Sequence, residues 1–201
     1  MIDHKKYKAY IFDLDNTLYD EVKYLYPAFS SISRELDIEY RRGYLEVFKF
    51  LKNTFDKQGR KNLFDRLIIE YDFSPEIIDL CLQKLRTVKI HGKINLKKDM
   101  KRCIARLLSD NKKLYVLTNG NIEQQKNKVE QINWNGMKEN ISFYFANEIE
   151  PKPSPAGILK IIADHNLNKE EILFIGDDEV DRLAAEDSGV DFIYGKEFNF
   201  S

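Results

Sequence analysis

The chain has 201 residues, 43% of them hydrophobic and 12% aromatic, which suffices for one substantial core with a smaller inserted unit and excludes a disordered chain. Its 32 basic and 33 acidic residues leave a net charge of −1, a balance that argues against a nucleic-acid polymer or a membrane surface as partner. Only two cysteines occur, Cys81 and Cys103, without metal-ligand spacing; they read as small core residues in a reduced, cytoplasmic setting.

The first apolar stretch, YKAYIFDL from Tyr7, reads as a buried strand that runs into Asp13 and Asp15. Asp13 interrupts it and no small-residue cleavage site follows, so neither a signal peptide nor a transmembrane span is predicted. From residue 20 to residue 93 there is no strand candidate. Leu45, Phe48, Leu51 and Phe55 recur at helical spacing, as do Leu63, Phe64, Leu67, Ile68 and Tyr71. Ser74, Pro75 and Glu76 then supply an N-cap and a first-turn proline for a helix through Leu85. Beyond residue 93 the pattern alternates. Met100, Ile104, Leu107 and Leu108 mark a helix before the strand KLYVLTN; Ile122, Val129 and Ile132 mark one before ISFYFAN. Ile158, Leu159, Ile161 and Ile162 precede EILFIGD, and VDFIY closes the series. Strand alternating with helix predicts an α/β fold. Its core is a Rossmann-like, doubly wound parallel sheet built from residues 1–19 and 94–201, with an all-helical cap domain inserted over residues 20–93.

Open α/β sheets bind ligands beyond the carboxyl ends of their strands, so polar residues there belong together even when far apart in sequence. Asp13 and Asp15, two apart on an extended backbone, point the same way. Their repulsion calls for a divalent cation or for a raised pKa on one carboxyl, and both suit phosphoryl transfer. One aspartate can attack phosphorus while the other protonates the leaving oxygen and then activates water. Thr118 and Asn119, before Gly120, end the second strand where a hydroxyl and amides could hold phosphoryl oxygens. Lys152, between Pro151 and Pro153, could neutralise a phosphate. The segment GDDEVD places Asp177 after a glycine, as the preferred ligand for magnesium, with Asp178 or Asp181 holding metal-bound water. Each motif alone is also an ordinary way to cap a strand or helix end.

The ordered set DLDNT, TNG, KP and GDDEVD resembles the four signature motifs of the haloacid dehalogenase-like superfamily, over a span from Tyr7 to about Tyr194. The helical insert after the first motif further resembles its small-molecule phosphatases. That resemblance implies Asp13 as nucleophile and Asp15 as general acid/base, with Thr118 and Lys152 as catalytic anchors. Phosphate would be bound by Leu14, Thr118, Asn119 and Lys152. Magnesium would be held by the Asp13 carboxylate, the Asp15 backbone carbonyl and Asp177. The related dehalogenases lack the second aspartate, so Asp15 points to phosphate chemistry. Asn16 stands where relatives often carry Gly or Asp.

The expected activity is magnesium-dependent hydrolysis of a small phosphorylated metabolite by a monomer or homodimer. A phosphomutase using the same acyl phosphate is the nearest alternative. A signalling receiver domain is another, but it would place its phosphoacceptor on a middle strand and carry no helical insert. Tyr19 in the first loop, with Arg60 and Lys61 after a glycine in the insert, are candidates for substrate specificity.

Overall fold

The computed structural model describes residues 4–198. In chain order its elements are β1 (Ala9–Phe12), α1 (Val22–Tyr40), α2 (Tyr44–Gln58), α3 (Leu63–Tyr71) and α4 (Ile77–Thr87). They continue with β2 (Ile94–Asn95), α5 (Lys98–Ser109), β3 (Lys113–Thr118), α6 (Ile122–Gln131), β4 (Ile132–Asn133) and β5 (Ile141–Phe145). The chain closes with α7 (Ala156–His165), β6 (Ile172–Gly176), α8 (Glu179–Ser188) and β7 (Asp191–Tyr194).

Two compact units result, Met1–Glu21 with Lys93–Ser201, and Val22–Gly92. In the first, five parallel strands lie in the order β5-β3-β1-β6-β7. Crossovers through helices build such a sheet, and the α/β fold expected from the alternating pattern is the one observed. β1 is central, with Ile11 opposite Tyr115 of β3 and Phe174 of β6. Ile11, Tyr115, Leu117 and Phe174 share a core cluster with Ile158 and Ile161 of α7 and Ala184 and Ala185 of α8. The alternate residues Tyr10, Phe12, Leu114 and Val116 face the other way and are buried too, so both faces of the sheet are covered. Gly157 lets α7 close on β3: a Cβ there would lie 2.8 Å from Leu117 Cδ1.

The second unit is all helical. Tyr24 Oη donates to Leu85 O at 2.7 Å, tying α1 to α4, and Tyr26 Oη donates to Asp56 Oδ1 at 2.6 Å, tying α1 to α2. Both bonds are internal to this unit, the first part-buried and the second at its surface. α1 contains Pro27. α4 begins at Ile77 rather than at Pro75. Ser74 to Glu76 instead form a turn, with Ile77 N–H donating to Ser74 O at 3.1 Å. α6 ends at Gln131, because Ile132 is buried by pairing with Ile94 in the short β2-β4 ladder. Two-residue strands leave no periodicity to read. Among the described residues no helix is long and apolar enough to cross a membrane.

Candidate active site

The carboxyl ends of β1, β3 and β6, and the loop after β5, bring the polar residues together. Asp13 follows β1, where its N–H donates to Ile175 O at 2.9 Å, and the residue is buried. Lys152 reaches it from the loop after β5. Its Nζ lies 2.6 Å from Asp13 Oδ1, 2.6 Å from Asp181 Oδ1 and 3.0 Å from Leu117 O. Burial opposes the ammonium, but the two carboxylates outweigh it and the Lys152 pKa is raised. Burial is also the main force on Asp13; with Asp181 and Asp15 adding to it and Lys152 pulling back, its pKa is pushed up to about 7.

The backbone of Lys152 is fixed by one side chain. Asn119 Oδ1 accepts from Lys152 N–H and Asn119 Nδ2 donates to Lys152 O, each at 2.8 Å. The sequence suggests phosphate contact for Asn119, but its amide is occupied in placing the lysine. Thr118 is buried at the end of β3. Leu14 is buried between the two aspartates, and its carbonyl accepts from Leu18 N–H at 3.1 Å.

β6 ends in Gly176, and Asp181 folds back from the first turn of α8 against it. Asp181 Oδ2 accepts from the N–H groups of Asp177 at 3.1 Å and Asp178 at 3.3 Å. A Cβ on residue 176 would lie 2.4 Å from that oxygen, so this carboxylate requires the glycine. Asp178 faces solvent and caps α8, accepting from Glu179 N–H at 2.6 Å. Sequence reasoning could not choose between these two aspartates; in the structure Asp181 faces the site and Asp178 the helix. Asp177 stands at the rim, beside a cleft of about 260 Å³ lined also by Asn16, Thr17, Lys97, Tyr194 and Lys196. Desolvation of its carboxyl, with Asp181 and Asp178 nearby, pushes the Asp177 pKa up to about 6 against the pull of the Thr17 hydroxyl and Lys152.

Oxygens of Asp13, Asp177 and Asp181 lie within 4.8 Å of one another. Carboxylates so close, two of them held above their usual pKa, form a hard-oxygen donor set that the single Lys152 ammonium balances only in part. That set fits a divalent cation.

Asp15 occupies different surroundings. Lys128 Nζ is 2.6 Å from its Oδ2 and 3.1 Å from Glu21 Oε1. Gln125 Nε2 donates to the same Asp15 oxygen at 3.0 Å, and Tyr19 Oη donates to Oδ1. Tyr19 is thus a buried partner of Asp15, and no longer an obvious substrate contact. Glu21, Gln125 and Lys128 escaped the sequence reading. The available signal was polar: Gln125 and Lys128 stand three apart on α6, on the helix face that Val129 also buries. Arg60 and Lys61 are exposed in the turn between α2 and α3.

An acidic centre at the carboxyl edge of a parallel sheet, with a buried aspartate, a paired lysine and a separately held second aspartate, defines an α/β protein whose chemistry sits at its central strand. The chain belongs to the haloacid dehalogenase-like hydrolase family, whose model matches residues 10–194. It is similar in fold to a predicted phosphoglycolate phosphatase from Haemophilus somnus (TM-score 0.66, 17% identity, 93% of this chain and 84% of that one). It is likewise similar to CbbY from Rhodobacter sphaeroides in complex with phosphate (TM-score 0.64, 20% identity, 94% and 85%). A subfamily IA hydrolase of the superfamily from Geobacter sulfurreducens also matches (TM-score 0.64, 19% identity, 94% and 87%). No curated protein matches the chain.

Proposed function

We propose that this protein is a magnesium-dependent phosphatase that hydrolyses a small phosphate monoester through an acyl phosphate on Asp13. The observation that carries this reading is the contrast between its two neighbouring aspartates. Asp13 is buried against Lys152, with Asp177 and Asp181 beside it, whereas Asp15 is held by hydrogen-bond donors on its own side. A carboxylate oxygen of Asp13 attacks phosphorus and the ester P–O bond breaks. The departing oxygen takes its proton from Asp15. Asp15 then deprotonates a water that attacks the acyl phosphate, releasing inorganic phosphate and restoring Asp13. Lys152 and Thr118, with the backbone amide of Leu14, hold the phosphoryl oxygens. Asp13, Asp177 and the Asp15 carbonyl would hold magnesium, which supplies positive charge against the phosphoryl group.

A predicted phosphoglycolate phosphatase and a phosphate-bound protein among similar folds support a small phosphorylated metabolite as substrate. Sugar phosphates, nucleoside monophosphates and phosphocarboxylates all fit this chemistry. The helical unit acts as the cap, with Arg60 and Lys61 the residues to vary for specificity. Hydrolysis of p-nitrophenyl phosphate with and without magnesium tests the reading. Chelation should abolish activity, and Asp13→Asn should lower kcat by several decades, given how slow uncatalysed phosphate ester hydrolysis is. Full activity of Asp13→Asn would sink the covalent route.

A further inference from the structure

The helix after β3 turns a polar face inward. Gln125 is 1% exposed and Lys128 is fully buried. Burying an ammonium is costly unless it is well paired, so Lys128 would be a poor choice if α6 only had to cover the sheet. Its partners are Asp15 and Glu21. Gln125 Nε2 has two hydrogens and three oxygen partners: Asp15 Oδ2 at 3.0 Å, Asn119 O at 2.8 Å and Thr118 Oγ1 at 2.5 Å. One amide nitrogen thus spans the loop after β1 and the end of β3.

We propose that Gln125 and Lys128 are positioning residues for proton transfer, holding the Asp15 carboxylate at a fixed separation from Thr118, with Glu21 the counter-charge that seats Lys128. The inference rests on the assignment of Asp15 as acid and base. A proton donor must lie within hydrogen-bond reach of the departing oxygen, and an error of about 1 Å is enough to cost about a hundredfold in rate. Without Lys128, Asp15 and Glu21 would be two carboxylates facing each other across the space it filled. Asp15 would then be pushed from its placement by Glu21, with only Gln125 and Tyr19 left to hold it.

The leaving group separates this role from a merely structural one. A p-nitrophenolate departs without a proton, whereas an alkoxide needs one. The constant kcat/KM reports the first chemical step, so it is measured for p-nitrophenyl phosphate and for the best alkyl phosphate of a metabolite panel. Lys128→Met should lower kcat/KM for the alkyl ester about 10- to 100-fold further than for the aryl ester. Equal losses on both esters would mean a structural role and overturn the proposal, as would no loss on either. Should Lys128→Met fail to fold by circular dichroism, the double variant Glu21→Gln/Lys128→Met removes one charge of each sign, and the same ratio decides. Failure of the parent reading looks different. In that case the unaltered protein hydrolyses neither ester, Asp13→Asn keeps its activity, or Asp15→Asn loses no more on the alkyl ester than on the aryl ester.

Discussion

Gly176→Ala tests how the site is built. The added methyl would lie 2.4 Å from Asp181 Oδ2 and 2.6 Å from its Cβ and Cγ, well inside contact distance. Two responses are open to the protein. The backbone can shift around the overpacked methyl, at about 1–3 kcal/mol. Alternatively the carboxylate can swing out, losing two hydrogen bonds from Asp177 and Asp178 N–H at about 1.5–3 kcal/mol each. The cheaper route sets the loss, about 1–3 kcal/mol, which for a chain of this length lowers Tm by roughly 2–12 °C. Urea unfolding followed by circular dichroism measures it. Repeating the substitution in an Asp181→Gly background, where the colliding atoms are gone, should cost less than about 1 kcal/mol. Losses that agree within about 0.5 kcal/mol in the two backgrounds would show that the residues do not interact and would refute the reasoning.

The acidic cluster predicts a pH dependence. Burial holds Asp13 up to about 7 and desolvation holds Asp177 up to about 6. A raised carboxyl pKa favours folding below the ordinary value of about 4, and that contribution is lost as pH rises through the folded value. In chelator, Tm should therefore fall between pH 5 and pH 8 more steeply for the unaltered protein than for Asp13→Asn, and magnesium at pH 8 should restore it; parallel curves would count against this. Asn119→Ala frees both backbone groups of Lys152 and should lower kcat/KM for p-nitrophenyl phosphate about 10- to 100-fold, measured by nitrophenolate release. Burial pushes the thiols of Cys81 and Cys103 up to about 12, so Ellman's reagent should label neither in the native protein and both in denaturant.

Local pattern reveals what lies at the end of a strand. Asp13, Thr118 and Asp177 each follow an apolar run and close it with a turn residue, so their gathering follows once the strands are parallel. The partners of these residues depend on side-chain direction in three dimensions. Gln125 and Lys128 lie on a helix whose polar residues look from sequence like a solvated face, and only the packing of α6 turns them inward. Glu21 pairs across 107 positions with Lys128, and Lys152 across 139 with Asp13; no window of sequence reports such a distance. Asp181 was legible as an acid one helical turn past Asp177, but its bonds to two backbone amides depend on the missing side chain of Gly176. The β2-β4 ladder was too short to show any period.

Two buried lysines each bridge two carboxylates, Lys152 between Asp13 and Asp181, and Lys128 between Asp15 and Glu21. The first bridge is anchored through α8 and the loop after β5, the second through α6. Adjacent aspartates on one strand end therefore draw their support from separate parts of the sequence. On the proposed mechanism, drift in α6 would act mainly on the proton-transfer side, with Gln125 carrying part of it to Thr118 and Asn119, and drift near α8 would act on the attacking side. Under that mechanism such a scaffold would have largely separate handles on proton delivery and on attack.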